Sequence, residues 1–534
     1  MRKYPLFISA CLLFIFYSCK NGSLKIVERD TTINTSTSFN NLFFDSIQIE
    51  HFLNEHEAFK KFEQQYLDFY KQRNYEFAWF DSSGIAEQAH NFINLLNNTV
   101  AELQDSSLYN QTLDEAYQVF LNDSLHLQKK DKLLQTELLF TGQFFLYAAK
   151  IYKGSDINAA ELGWFIPRKK VDLTSLLDST LKSKLRETDQ YAPLNAQYKK
   201  LQDYLIKYAA IEKQWPEDTI AHVAKPLKRG DSSFSITQIK KRLNLLGDLS
   251  ATDSSKVFDT ALLSAAKNFQ RRTGLSIDGV VGNKMIDELN VTPKQRVRQL
   301  LINMERMRWM PEQKDSSYIL VNIPEYKMHV YDSLQWSFDL NVIVGKATNS
   351  TVIFNGNLKY IVFSPYWNVP VSIVQKEILP SIKKDKNYIA KQNMEITGYS
   401  AGLPLVRQKP GPNNSLGLVK FLFPNNYDIY FHDTPNRELF NSSARSFSHG
   451  CIRISNPKKL AQFLLRSDTA TVWKSNVIDS SMHLQKERRV TLKKTVPVFI
   501  VYFTAWVDKN GVLNFRKDIY GHDDKMSGKL FIDK

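Results

Sequence analysis

Apolar residues repeat at helical spacing through roughly the first 220 positions, then shift to unbroken or alternating runs beyond Pro311. Ile93, Leu96, Val100 and Leu103 form one such helical series, and Leu134, Leu138, Phe145 and Ala149 another. Residues 43–221 are therefore predicted to form a helical block. Nothing in it reads as a nucleophile–base pair, the aromatic stretch 164–168 included. A second unit, 225–291, reads as three short helices. Ser235 and Gln238 are placed as a capping box, Ile239, Leu243 and Leu246 follow as one face, and Gly247 stops the helix. Leu262, Ala265, Ala266 and Phe269 mark the second helix, and the turns at 273–275 and 278–282 lead into a third ending near Leu289. Thr292-Pro293 opens a further helix, because proline is tolerated in a first turn. Strands are predicted at 318–323, 327–331, 338–344 and 357–363, so a mainly β domain is expected. The stretch 375–400 is longer and more charged than a turn requires and is read as a lid. A last strand at 496–503, with Pro497 near its start, indicates that 490–534 completes the β domain.

Composition narrows this picture only a little. A chain of 534 residues with 43% hydrophobic content can bury several cores, so two to four domains are expected. The net charge of +15 suits an anionic partner: nucleic acid, lipid headgroups or a carboxylate-rich wall. No Lys/Arg run is long enough to choose among them. The first nineteen residues say more. Arg2 and Lys3 precede an apolar run, 6–17, too short to span a bilayer comfortably, which ends at Cys19. Residues 1–19 are read as a lipoprotein signal with Cys19 as the lipidated residue, although Phe16 and Tyr17 depart from the usual pattern. A retained anchor or ordinary secretion are the alternatives. The polar, Ser/Thr/Asn-rich stretch 20–42 is expected to be a tether.

The three cysteines are Cys11, Cys19 and Cys451. With the first two assigned to the leader, Cys451 has no intramolecular partner, which suggests a reactive thiol. A thiol becomes a nucleophile when a neighbour generates or stabilises its thiolate, and histidine is the common device. His449 lies two residues before Cys451, on the same face if the segment is extended. His432 ends the run 427–431, read as a strand that delivers it. Gly450 permits close backbone approach, and the amides of Gly450 and Cys451 could face a developing oxyanion. The set points to acyl transfer. An inert buried cysteine is the plain alternative. A metal site of His432, His449 and Cys451 is another, short of an obvious fourth ligand.

Ser448-His449-Gly450-Cys451-Ile452-Arg453, with His432 upstream, resembles the signature of the L,D-transpeptidases, which cross-link peptidoglycan stem peptides through a cysteine thioester. The resemblance implies Cys451 as nucleophile, His432 as its base and His449 as a secondary site residue. Ser448 and Gly450 would belong to the cysteine loop, and Arg453 would meet a substrate carboxylate. Tyr366, Trp367 and Asn414, in two segments that read as substrate walls, are placed beside the substrate. The arrangement also resembles the large Gram-negative subfamily: a scaffold domain at 43–221, a peptidoglycan-binding domain at 225–291, a catalytic domain at 292–489 and a C-terminal extension at 490–534 packing on it. The expected fold is thus α+β multidomain, with a helical scaffold, a small three-helix peptidoglycan-binding domain and a mainly β catalytic domain carrying a lid insertion. Implied partners are peptidoglycan stem peptides and glycan, and a membrane through the lipid on Cys19; no nucleic acid, metal or organic cofactor is implied. The expected place is the cell envelope, as a periplasm-facing lipoprotein of the outer membrane. The expected reaction is 3–3 cross-linking. Hydrolysis of the same thioester, its transfer to a protein amine, and a non-catalytic wall-binding role remain open alternatives.

Overall fold

The structure, a computed structural model, describes residues 29–32, 42–103, 106–122, 130–184, 195–251, 254–311, 317–468 and 473–531. The expected signal segment, Cys19 and nearly all of the tether lie outside the described residues. Among those described, no helix is long and apolar enough to cross a membrane. The chain divides into two compact units.

The first unit comprises residues up to 93, with 110–146 and 173–185. It is helical and packed with aromatic rings. Tyr66, Tyr70, Trp79, Phe92, Phe140 and Phe145 are all fully buried. Glu137, a deeply buried carboxylate, is surrounded by donors: the amides of Ala78 and Trp79 and the Tyr70 hydroxyl, at 2.7 to 2.9 Å.

The second unit holds residues 94–109, 147–172 and 186–534. The stretch 43–221 is shared between the two units. In the second unit the helix Pro293–Trp309 buries Glu305 and Arg308, which take partners from the earlier stretches. Glu305 accepts from the amide and hydroxyl of Ser155, and Arg308 donates to the Tyr198 hydroxyl and to the Ile151 carbonyl. Buried charges hold only where they are paired and hydrogen-bonded, so these segments stay with the helix that needs them. That helix opens with a capping box between Thr292 and Gln295 and with Pro293 in its first turn.

Three helices, Phe234–Leu245, Thr260–Thr273 and Asn283–Asn290, enclose their own core of Ile236, Ile239, Leu243, Leu262, Phe269, Ile286 and Leu289. The first is capped by Ser233, not Ser235: the Ser233 hydroxyl accepts from the Ser235 amide, and Gln238 turns away to Asp218.

The β domain is a nine-stranded sheet. From one end it runs Ser446–Ser448, Gln335–Gly345, Ile452–Ile454, Phe431–His432, Val419–Leu422, Phe354–Phe363, Arg488–Val501, Tyr318–Asn322 and Lys327–Asp332. Lys327–Asp332 also pairs with Gln335–Gly345, so eight strands close on themselves and the Ser446–Ser448 strand branches off. The 490–534 segment does more than pack on this domain. Its strand Arg488–Val501 lies inside the sheet, antiparallel to Phe354–Phe363 and parallel to Tyr318–Asn322. Pro497 falls within that strand, next to a register irregularity between Thr491 and Val496 where a missing amide donor is tolerated. Between Phe354–Phe363 and Val419–Leu422 the chain makes an excursion with a small three-stranded sheet and its own apolar cluster of Val369, Val374, Ile378, Met394 and Val406.

Candidate active site

Strand register sets the site. Phe421, Phe431 and Ile452 lie in line across three neighbouring strands, and all are fully buried in the core of the sheet. The residues one step along must face the other way, because side chains alternate on a strand. Lys420, His432 and Arg453 therefore form the matching row on the opposite face. One residue before this part of the register, the Ile452 amide donates to the Tyr430 carbonyl at 3.2 Å, which brings Cys451 alongside Tyr430. The ring of Tyr430 lies 5.8 Å from that of His432. Cys451, Tyr430, His432 and Arg453 are thus gathered by pairing between two short parallel strands.

His432 is buried, and its Nδ1 lies 2.6 Å from the Asp433 carbonyl oxygen. A carbonyl can only accept, so the proton sits on Nδ1 and Nε2 carries the lone pair. Burial, together with the flanking positive charges of Arg453 and Lys420, pushes its pKa down to about 3, against the raising effect of the Asp433 and Leu416 carbonyls. The imidazole is neutral at any ordinary pH. Burial raises the Cys451 thiol, while the Tyr430 main chain and phenol and the charge of Arg453 oppose that rise. The thiol donates to the Asp428 carbonyl at 3.4 Å, and no hydrogen bond joins it to His432. The resting pair is a neutral thiol and a neutral base. Catalytic contacts are often long without substrate and tighten when it binds.

Arg453 makes no ion pair among the described residues, and its Nε is buried with no hydrogen-bond partner. An unsatisfied buried donor costs about 1–3 kcal/mol, so a fold keeps one where something else satisfies it.

The cysteine loop is braced from beneath. The Ser448 hydroxyl donates to the Cys451 carbonyl at 2.6 Å and accepts from the Gly450 amide at 3.2 Å. Thr351 donates to the Gly450 carbonyl at 2.8 Å and accepts from the Gly345 amide at 2.9 Å. The Tyr520 hydroxyl, from the C-terminal segment, holds the Gly345 carbonyl at 2.6 Å. Gly450 has φ of +117°, a conformation that only glycine adopts without strain.

Several expectations change here. The loop 449–451 bends, so His449 and Cys451 do not share a face as on an extended segment. His449 is half-exposed, and its Nε2 lies 3.3 Å from the Glu377 carboxylate on the 369–408 excursion. The Gly450 amide is taken by Ser448, which leaves the Cys451 amide, with no hydrogen bond among the described residues, as the free donor of the expected pair. Of the run 427–431 only Phe431 lies in a strand, Phe431–His432. The Asn425 side chain accepts from the amides of Tyr427 and Ile429 and donates to the carbonyls of Phe423 and Ile429, locking a turn before His432. Asn414 is buried, and its amide group is spent on the Pro365 and Lys409 carbonyls and the Leu416 amide. Trp367 packs against the small cluster of the excursion, and Tyr366 lies under the Arg407 guanidinium with its amide on Glu487. Lys420, Tyr430, Thr351 and Glu377 were not singled out from the sequence. The alternation Tyr430–His432 and Val419–Lys420–Phe421 could have found the first two; Thr351 and Glu377 are brought in by tertiary contacts that no local pattern signals. Among the described residues no group of three or more His, Cys, Asp or Glu side chains could hold a metal ion.

Residues 316–478 match a family described as "L,D-transpeptidase catalytic domain", 64–205 a "Scaffold domain" and 234–289 a "Putative peptidoglycan binding domain". A Haemophilus influenzae protein named "Putative L,D-transpeptidase" is 31% identical over 296 residues, 52% of this chain and 58% of the relative. The alignment thus spans little more than half the length of that protein. Among solved structures, an L,D-transpeptidase from Stackebrandtia nassauensis is 15% identical, with a TM-score of 0.21 over 54% of this chain and 97% of that one. Another from Mycobacterium smegmatis is 11% identical, with a TM-score of 0.20 over 36% and 61%. Likeness of shape at that level carries no inference. The sequence matches do, and by them the chain carries an L,D-transpeptidase catalytic domain together with a scaffold domain and a peptidoglycan-binding domain.

Proposed function

We propose that this chain is a cell-envelope enzyme that forms 3–3 cross-links between peptidoglycan stem peptides through a thioester on Cys451. His432 Nε2 takes the thiol proton as sulfur attacks the carbonyl carbon of the third residue of a donor tetrapeptide. The Cys451 amide meets the oxyanion. The C–N bond to the terminal D-residue then breaks, and His432 returns the proton to the leaving amine, giving the thioester. A side-chain amine of a second stem attacks the thioester, loses its proton to His432, and the sulfur leaves as thiol. Arg453 holds a stem carboxylate, and His449 with Glu377 ties the excursion to the cysteine loop over the substrate.

The observation that carries this reading is Arg453, a cation with an unsatisfied buried Nε, two residues from a thiol and paired across strands with a neutral imidazole. Such a row suits an acyl donor that brings its own carboxylate. Lipidation at Cys19, with attachment to the outer membrane, is part of the same proposal.

The test mixes protein lacking residues 1–19 with disaccharide-tetrapeptide muropeptides and reads products by mass spectrometry, with Cys451→Ala alongside. A dimer short of one terminal D-residue, formed by the wild type alone, is expected. Tripeptide monomer alone would make the enzyme a carboxypeptidase, and no product would favour a non-catalytic wall binder.

A further inference from the structure

The turn before His432 carries a carboxylate that the catalytic row does not use. Asp428 is exposed, and among the described residues its carboxylate takes no hydrogen bond and no ion pair. Its backbone is held firmly. Asn425 fixes the amides of Tyr427 and Ile429 on either side. The Tyr427 ring lies 4.9 Å from that of buried Phe354 and 5.6 Å from that of Phe165, whose amide donates to the Ile353 carbonyl at 2.9 Å. Asp428 itself has φ of +53°, in the left-handed region that Asp and Asn tolerate better than most residues. Its carbonyl accepts from the Cys451 thiol at 3.4 Å, so the carboxylate belongs to the residue against which the sulfur rests.

That placement works against the nucleophile. Burial and, after it, the negative charge of Asp428 raise the Cys451 thiol. The same charge adds to burial and to Cys451 in raising the Tyr430 phenol. Arg453 acts on the thiol with the opposite sign, and no ion pair joins it to Asp428 among the described residues. Two uncompensated charges of opposite sign thus reach one sulfur without neutralising each other. Arg453 suits a carboxylate, and Asp428 suits a cation. A carboxylate that opposes thiolate formation helps only once the thiolate has been consumed. At that stage the thioester must be reached by an amine that is cationic in solution.

We propose that Asp428 is the docking group for the acceptor's ammonium and biases the thioester towards amines over water. Naming that cation as a stem side-chain ammonium rests on the function proposed above. The ammonium gives one proton to solvent, leaves Asp428 as the neutral amine and attacks the thioester carbon. A second proton passes from nitrogen to His432, the C–S bond breaks, and the sulfur takes that proton to leave as thiol. Water carries no charge for Asp428 to hold, so hydrolysis gains nothing from it.

The test is Asp428→Asn, which keeps a side chain suited to the left-handed turn, with thermal melting to check folding. Two ratios are read by mass spectrometry. With disaccharide-tetrapeptide, cross-linked dimer relative to tripeptide should fall about fivefold, the size of one exposed charge contact. With cationic trimethylammonioethyl methanethiosulfonate and neutral methyl methanethiosulfonate, the ratio of their rates at Cys451 should fall by about the same factor, since only the first is a cation. This second ratio needs no turnover. Its fall, in a protein whose wild type makes no dimer, keeps the cation site and removes the cross-linking function. An unchanged thiosulfonate ratio, or an unchanged dimer-to-tripeptide ratio in a protein that does cross-link, overturns the proposal.

Discussion

Glu137 in the helical unit and the Lys420–His432–Arg453 row of the sheet both bury ionisable groups, with opposite bookkeeping. Every oxygen of Glu137 has a donor, yet burial still lifts its pKa to about 7. His432 is driven down to about 3, and Arg453 beside it keeps a donor with no acceptor. Burial alone therefore does not mark a site. Orphaned polar atoms do not either, since Gln65 and Arg73 also carry one each. The mark is an unsatisfied cation, a base with its lone pair held free and a thiol, all on one face of two paired strands.

The largest effect should come from His432→Asn. The amide can still donate to the Asp433 carbonyl but offers no Nε2 base, so thioester formation should slow by about 10²–10⁴-fold, read by quenched-flow mass spectrometry. Arg453→Met should come next. Losing a charge-assisted hydrogen bond worth about 1.5–3 kcal/mol lowers kcat/KM by roughly 10- to 100-fold, mostly through KM. An unchanged KM would separate Arg453 from the substrate.

Glu137→Gln should leave the rate alone and cost the helical unit about 1–3 kcal/mol in urea unfolding, because an amide cannot accept from three converging donors. The two regions should also answer pH in opposite ways. The folded pKa of Glu137 is raised, so its contribution is full at acid pH below the ordinary carboxylate value and is lost as pH rises through about 7. That of His432 is depressed, so its contribution is present above about 6.5 and is lost as pH falls towards 3. Stability profiles of Glu137→Gln and His432→Asn against the wild type should each flatten only its own window. The smallest effect belongs to Glu377→Gln. A contact between two exposed side chains is worth about 0–1 kcal/mol, so freeing His449 should change KM no more than about fivefold.

Much of this was legible in the chain. The strands at 318–322 and 327–332 and the capped helix at Pro293 follow from local pattern, because propensity, capping and burial there agree. The chemistry-bearing residues Cys451, His432 and Arg453 were legible as a motif. Their mutual placement was not, since it depends on parallel pairing of two short strands far apart in sequence. Local competition explains other differences. The Asn425 side chain out-competes strand pairing at 427–430, and Asn414 is drawn inward to satisfy carbonyls of its own turn. The interior position of Arg488–Val501 is a matter of topology, which a strong strand signal cannot convey.

The most direct test of the central claim is intact-mass analysis of the protein mixed with a tetrapeptide donor whose side-chain amine is blocked, followed by peptide mapping. The account predicts an adduct equal to the donor less its terminal D-residue, on the peptide containing Cys451, slowed in His432→Asn and absent from Cys451→Ala. Cross-linked product from unblocked donor with no adduct at Cys451, or an adduct on another residue, would contradict it.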